Sequence, residues 1–161
     1  MSLISRCELQ TTNYKLQTLT MIQRIQTIWL LLAAACGFLY TQVPLFTATL
    51  ADNVEKNFLA KESLLLFAFD ICVALIAVVA IFMFKNRPLQ LKLTIFGILG
   101  SLGLIALEVW QLQKFQTDNP LFKGTYAWGS LIPIVMTVFF ILALVNIRKD
   151  QKLVKSLDRL R

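Results

Sequence analysis

The run from Leu64 to Phe84, LLLFAFDICVALIAVVAIFMF, constrains this chain more than any other stretch. Its twenty-one residues carry one charge, Asp70, and no continuous polar face. At about 1.5 Å of rise per residue, a helix of that length crosses a hydrocarbon core of about 30 Å. A helix at a water boundary needs a polar stripe, so the expected solvent for this one is lipid.

The rest of the 161-residue chain has the same character: 57% of residues are hydrophobic and 16% charged. Its mean hydropathy of +0.68 lies outside the range of ordinary soluble domains. Apolar runs predict four spans, at about 25–46, 64–84, 91–112 and 126–147. The expected fold class is therefore all-α, an integral membrane bundle of four transmembrane helices occupying residues 21–147. Lys85-Asn86-Arg87-Pro88 reads as a tight turn between the second and third spans, because Pro88 cannot continue a helix through it. Asn119-Pro120 and Gly124 mark a loop before the fourth span.

Residues 1–20 are polar and lack the apolar core of a signal peptide. Met21 then opens MIQRIQTIWLLLA, a short basic lead followed by a span. Two readings fit: translation begins at Met21, or residues 1–20 form a disordered cytoplasmic tail. LLLAAAC before Gly37 has the outline of a lipoprotein cleavage site, with Cys36 as the lipidated residue. Ala33 in place of the usual leucine, and the apolar run beyond Cys36, argue against it. Residues 148–161 carry Leu153, Val154, Leu157 and Leu160 at helical spacing among basic residues, which predicts an amphipathic cytoplasmic tail.

Twelve of the sixteen lysines and arginines fall before the first span, in the turn around Asn86, or in the tail. Basic residues mark the cytoplasmic side, so both termini and that turn are expected there. Lys85, Arg87, Lys92, Arg148, Lys149, Lys152, Lys155 and Arg159 are then candidate contacts for anionic lipid headgroups. Trp29 and Tyr40 sit near the ends of the first span, and Trp110, Tyr126 and Trp128 form an aromatic belt on the outer side.

There is no histidine, and Cys7, Cys36 and Cys72 stand alone without a C-x-x-C pair. No phosphate-binding, nucleophile-elbow or dinucleotide motif appears. These observations predict no enzyme activity, no cofactor and no metal; the basic residues point to the lipid bilayer as partner rather than to nucleic acid. Ala33 and Gly37, and the cluster Gly97, Gly100, Ser101 and Gly103, have the small-residue spacing of helix-packing faces.

Two residues could carry chemistry, Asp70 and Glu108, at similar depth on adjacent antiparallel spans. Asp70 shares a helical stripe with Ser63, Ala74 and Ala77, and Glu108 shares one with Gly97, Ser101 and Gln111. Facing acids in a membrane would share a proton or hold a cation. Acids near the surface would instead reach headgroups or water. The first expectation for function is a non-enzymatic protein acting through helix contacts, in homo-oligomers or with other membrane proteins. The alternative is a small transporter or proton- or cation-responsive conductor that uses Asp70 and Glu108.

The opening MIQRIQTIWLLLA and the closing IRKDQKLVKSLDRLR, with four spans and short loops between them, resemble an uncharacterised family of small bacterial inner-membrane proteins, domain of unknown function 4293. The resemblance covers Met21 to Arg161; an acidic residue would be usual where Gln151 stands. It implies the bacterial cytoplasmic membrane and a start at Met21, and it transfers no catalytic residue.

Overall fold

The computed structural model describes residues 25–49, 55–118 and 123–158. The readings of residues 1–20, of Met21 and of Arg159 lie outside the described residues, as do the side chains of Lys85 and Lys155. The described chain is mostly helical. Its four helices are α1 (Ile25–Tyr40), α2 (Leu64–Phe82), α3 (Arg87–Asp118) and α4 (Ile132–Asp158). The stretches Leu64–Phe82, Arg87–Thr117 and Trp128–Lys152 are long and apolar enough to cross a membrane; Ile25–Tyr40 is shorter.

Buried residues recur every three or four positions, which places them on one stripe per helix. On α1 they are Gln26, Leu30, Ala33, Gly37 and Tyr40, and on α2 Leu66, Asp70, Val73, Ala77 and Ala80. On α4 the stripe includes Met136, Phe140, Ala143, Ile147 and Asp150. The stripe of α3 is of another kind: Gln90, Thr94, Gly97, Ser101, Leu104 and Glu108 face inward. Its outward positions include Phe96, Leu99, Leu102 and Val109, all exposed. This helix is polar inside and apolar outside.

Small residues set how closely the helices approach. A Cβ on Gly97 would stand 2.5 Å from the Phe140 ring, so α3 and α4 pack there without room for a methyl group. On the other side of α3, a Cβ on Gly100 would meet Val73 at 2.8 Å and one on Gly103 would meet Phe69 at 3.3 Å. Gly37 of α1 lies against Ala74 of α2 and Met136 of α4, and Trp29 packs on Phe139 with ring centroids 5.8 Å apart. Each of α1 and α3 thus touches both α2 and α4. Ala33, on the same stripe of α1 as Gly37, is fully buried.

Among the described residues the connections hold a three-stranded antiparallel sheet that the sequence reading treats as helix end and loop. Its strands are β1 (Pro44–Thr49), β2 (Glu55–Leu59) and β3 (Lys123–Tyr126), in the order β2-β1-β3. The helix expected to run to Phe46 stops at Tyr40 because Pro44 has no N–H to donate and biases Val43 toward extended backbone. Phe46 pairs with Phe58 on one side and Tyr126 on the other, so Tyr126 closes a strand instead of opening the fourth helix. That helix begins only at Ile132, after a 3-10 turn at Trp128–Leu131. Gly129 in this turn lies so close to β1 that a Cβ would meet the Pro44 carbonyl oxygen at 2.4 Å, which reserves the position for glycine.

The other helix ends also differ from expectation. The third helix starts at Arg87, with Pro88 in its first turn where a missing N–H costs little, and runs beyond Leu112 to Asp118. The extension is held because Phe115 packs on Phe46 and Phe58 beneath the sheet. Residues 148–158, expected as a separate amphipathic tail, continue α4 without a break. The helix containing Cys36 continues to Tyr40, and the Cys36 thiol is free and half-buried.

Candidate functional site

The polar residues of the four inward stripes gather mainly at two levels of the bundle. The first lies near the sheet. Tyr40, the last residue of α1, is fully buried, and its hydroxyl donates to Glu108 Oε2 at 3.4 Å. Because α1 and α3 each flank α2 and α4, this contact crosses the middle of the bundle. The sequence reading places Tyr40 at the headgroup level; the structure turns it inward because it continues the stripe of Ala33 and Gly37. That i, i+4, i+7 spacing is the signal that could have identified it.

Asp70 and Glu108 are 1% and 3% exposed, so neither reaches the surface of the protein. Asp70 Oδ1 would lie 3.5 Å from a Cβ on Gly37, one turn before Tyr40 on the same stripe of α1. The two acids thus lie on inward stripes that both face α1, with Glu108 bonded to Tyr40 and Asp70 beside Gly37. Asp70 Oδ1 and Glu108 Oε1 have no hydrogen-bond partner in the protein. Among the described residues no lysine or arginine pairs with either acid, and α4 contributes the apolar Met136 nearby. Burying a carboxylate away from any cation is costly unless it is protonated or otherwise neutralised.

The second level lies at the opposite end, beside the turn at Asn86. Here Arg87 Nη1 forms an ion pair with Asp150 Oδ2 at 2.5 Å. Asp150 is 1% exposed although it sits among the basic residues of the tail. Arg87, expected at headgroups, is thereby turned onto α4. Gln90 and Gln26 are fully buried at this end; Gln90 Nε2 donates to the Ala80 carbonyl at 3.1 Å. The Oε1 atoms of both glutamines and Asp150 Oδ1 lack a hydrogen-bond partner. Lys92, Arg148, Lys149 and Lys152 point outward and are exposed.

Between the two levels, Thr137 Oγ1 of α4 donates to Ser101 Oγ of α3 at 2.9 Å, and Ser101 Oγ donates to the Ile98 carbonyl at 2.9 Å. Gly100 and Gly103 sit on the α2 side of α3 and Gly97 on the α4 side, so the small-residue cluster serves two interfaces.

A model described as Domain of unknown function (DUF4293) matches residues 22–160. The chain belongs to the DUF4293 family. That description assigns no activity to the family, and the match spans the two polar levels and the sheet alike. No curated protein and no solved structure matches the chain.

Proposed function

We propose that this DUF4293 protein is a multi-pass protein of the bacterial cytoplasmic membrane, not an enzyme, whose working part is a proton-binding centre of Tyr40, Asp70 and Glu108. The membrane reading is supported by the outward faces. Phe38, Leu64, Phe82, Phe96 and Leu99 are each more than half exposed, and they lie on all of α1, α2 and α3. Soluble proteins do not carry apolar patches around a whole bundle. The basic residues, with the sheet at the other end, support a topology with both termini and the Asn86 turn in the cytoplasm.

The single observation that carries the proton reading is the burial of Asp70 and Glu108 with an unpartnered oxygen on each. Acids at the rim could be solvated by water or headgroups; these are enclosed, which favours the proton-responsive alternative over contacts alone. A small cation held between the carboxylates is the other state that the same atoms allow. pH-difference infrared spectroscopy of the purified protein in lipid tests the reading. The expected result is a carboxyl band that comes and goes with bath pH and is lost when Asp70→Asn and Glu108→Gln are combined. A spectrum insensitive to pH but shifted by sodium or potassium would replace the proton with a cation. No response to either would leave the centre as packing.

A second reading has its own observation. Among the described residues β2 and β3 are the outer strands of the sheet, each paired on one side only. An open strand edge offers backbone groups to an added strand, which supports contacts with a second copy or another membrane protein at this end.

A further inference from the structure

The inward stripe of α3 connects the two polar levels. Between Leu89 and Leu112, the buried positions are Gln90, Thr94, Gly97, Ser101, Leu104, Glu108 and Leu112. They follow one another at steps of three or four residues, so they stand in line along the helix axis. From Arg87 to Glu108 the line is about 31 Å long at 1.5 Å per residue, the thickness of a hydrocarbon core. Burying this many polar side chains on one face of an otherwise apolar helix is unfavourable unless they have work or partners. Buried atoms at both ends of this stripe have no partner: Glu108 Oε1 at one end, and Gln90 Oε1, with Gln26 Oε1 of α1 and Asp150 Oδ1 of α4 beside it, at the other.

We propose that the inward face of α3 is the wall of a proton pathway joining the Tyr40–Asp70–Glu108 centre to the Arg87–Asp150 pair at the far end of the bundle. The inference rests on the proton-binding reading and extends it from storage to conduction. The architecture fits a proton better than a larger passenger. A metal ion or solute needs several oxygens around it at each level, whereas this stripe supplies about one polar group per turn.

Hydroxyl groups suit this role because each accepts a proton on a lone pair while releasing its own. The Thr137–Ser101 pair already forms one such link across α3 and α4. Thr94 Oγ1, donating to the Gln90 carbonyl at 2.8 Å, is the next hydroxyl toward the far end. Two apolar positions interrupt the line, Leu104 between Glu108 and Ser101, and Gly97 under the Phe140 ring between Ser101 and Thr94. Each interruption separates polar positions by about 10 Å of helix axis, a gap closed by two or three water molecules when the side chains move aside. Leu104 and Phe140 are thus the gates. The chemistry balances: a proton taken up by Asp70 or Glu108 passes by O–H exchange through the bridging waters and the hydroxyls of Ser101 and Thr94, and leaves at Asp150 Oδ1. Each relay group releases one proton as it gains one, the later turning of its hydrogen bonds restores its orientation, and no other bond changes.

The test is proton uptake into liposomes containing the purified full chain and a trapped pH dye, driven by a potassium diffusion potential. The wild type should exceed protein-free liposomes clearly, and Ser101→Ala and Thr94→Val should each lower that flux about tenfold or more, as loss of a proton-transfer group does elsewhere. Leu104→Ser should raise it several-fold. Leu102→Ser, on the outward face of α3, should leave it unchanged, which separates a gate effect from general leakiness. The infrared carboxyl response of Asp70 and Glu108 should persist in all four variants, showing that they fold and that the centre is intact. Wild-type flux equal to that of empty liposomes, with the carboxyl response present, would overturn the pathway and leave the proton-binding centre standing. Unaltered flux in both Ser101→Ala and Thr94→Val would also overturn it. Absence of the carboxyl response in the wild type would remove the centre itself.

Discussion

At the residue scale, Tyr40 is the side chain whose role departs most from its sequence context. Its hydroxyl is the donor that reaches Glu108 from across the bundle. Tyr40→Phe should therefore destabilise the protein by about 1–3 kcal/mol, the usual effect of leaving a buried acceptor unpaired. Reversible unfolding in mixed micelles would measure it, and a variant as stable as wild type would show that the contact contributes nothing. Glycines give a graded comparison. Gly97→Ala puts a methyl group into the Phe140 ring and should cost about 1–3 kcal/mol, whereas Gly103→Ala, which only grazes Phe69, should stay within about 0.5 kcal/mol. Equal effects at the two positions would mean that α3 and α4 are less tightly apposed than Gly97 and Phe140 indicate. These residues also show what the chain reveals before folding. Asp70 and Glu108 can be picked out because charge in an apolar run is conspicuous. Gln26 and Asp150 cannot, because charge or amide is ordinary beside a basic segment, and Tyr40, an ordinary residue at a span end, is betrayed only by its spacing with Ala33 and Gly37.

At the element scale, the long apolar runs of α2, α3 and α4 are legible because hydropathy averages over many residues and length alone separates a span from a core helix. The inner stripe of α3 is lost in the same averaging: five polar or small residues are diluted by the leucines and isoleucines between them. Strands of four to six residues in the connections are harder still, since their pairing depends on a partner far along the chain. Pro44 announces that the first helix ends, but only β3 explains what the chain does next. The Arg87–Asp150 pair ties the start of α3 to the end of α4 and can be tested as a unit. Arg87→Met alone should destabilise by about 3 kcal/mol, because it strands a buried carboxylate, and adding Asp150→Leu should recover most of the loss. Additive effects in the double variant would show that the two side chains do not act together.

At the scale of the whole molecule, the sheet and the basic turn define opposite faces of the bundle. With the topology proposed above, a cysteine at Thr125 in β3 should react with an impermeant maleimide on intact cells, and one at Asn86 should react only after lysis. The reverse pattern would invert the protein in the membrane and move the acid centre to the cytoplasmic side. The sheet has a further consequence for how the molecule is made. β1 can zip onto β2 as soon as the short segment between them has emerged, but its other edge waits for β3, with Thr47 and Thr125 lying 78 positions apart in the chain. Everything from α2 to the end of α3 must be synthesised in the interval. The central strand therefore has one edge bare until β3 has been made. A ribosome stalled before β3 leaves that edge free for a neighbouring chain, so the sheet is both the seal on a finished molecule and the weak point of an unfinished one.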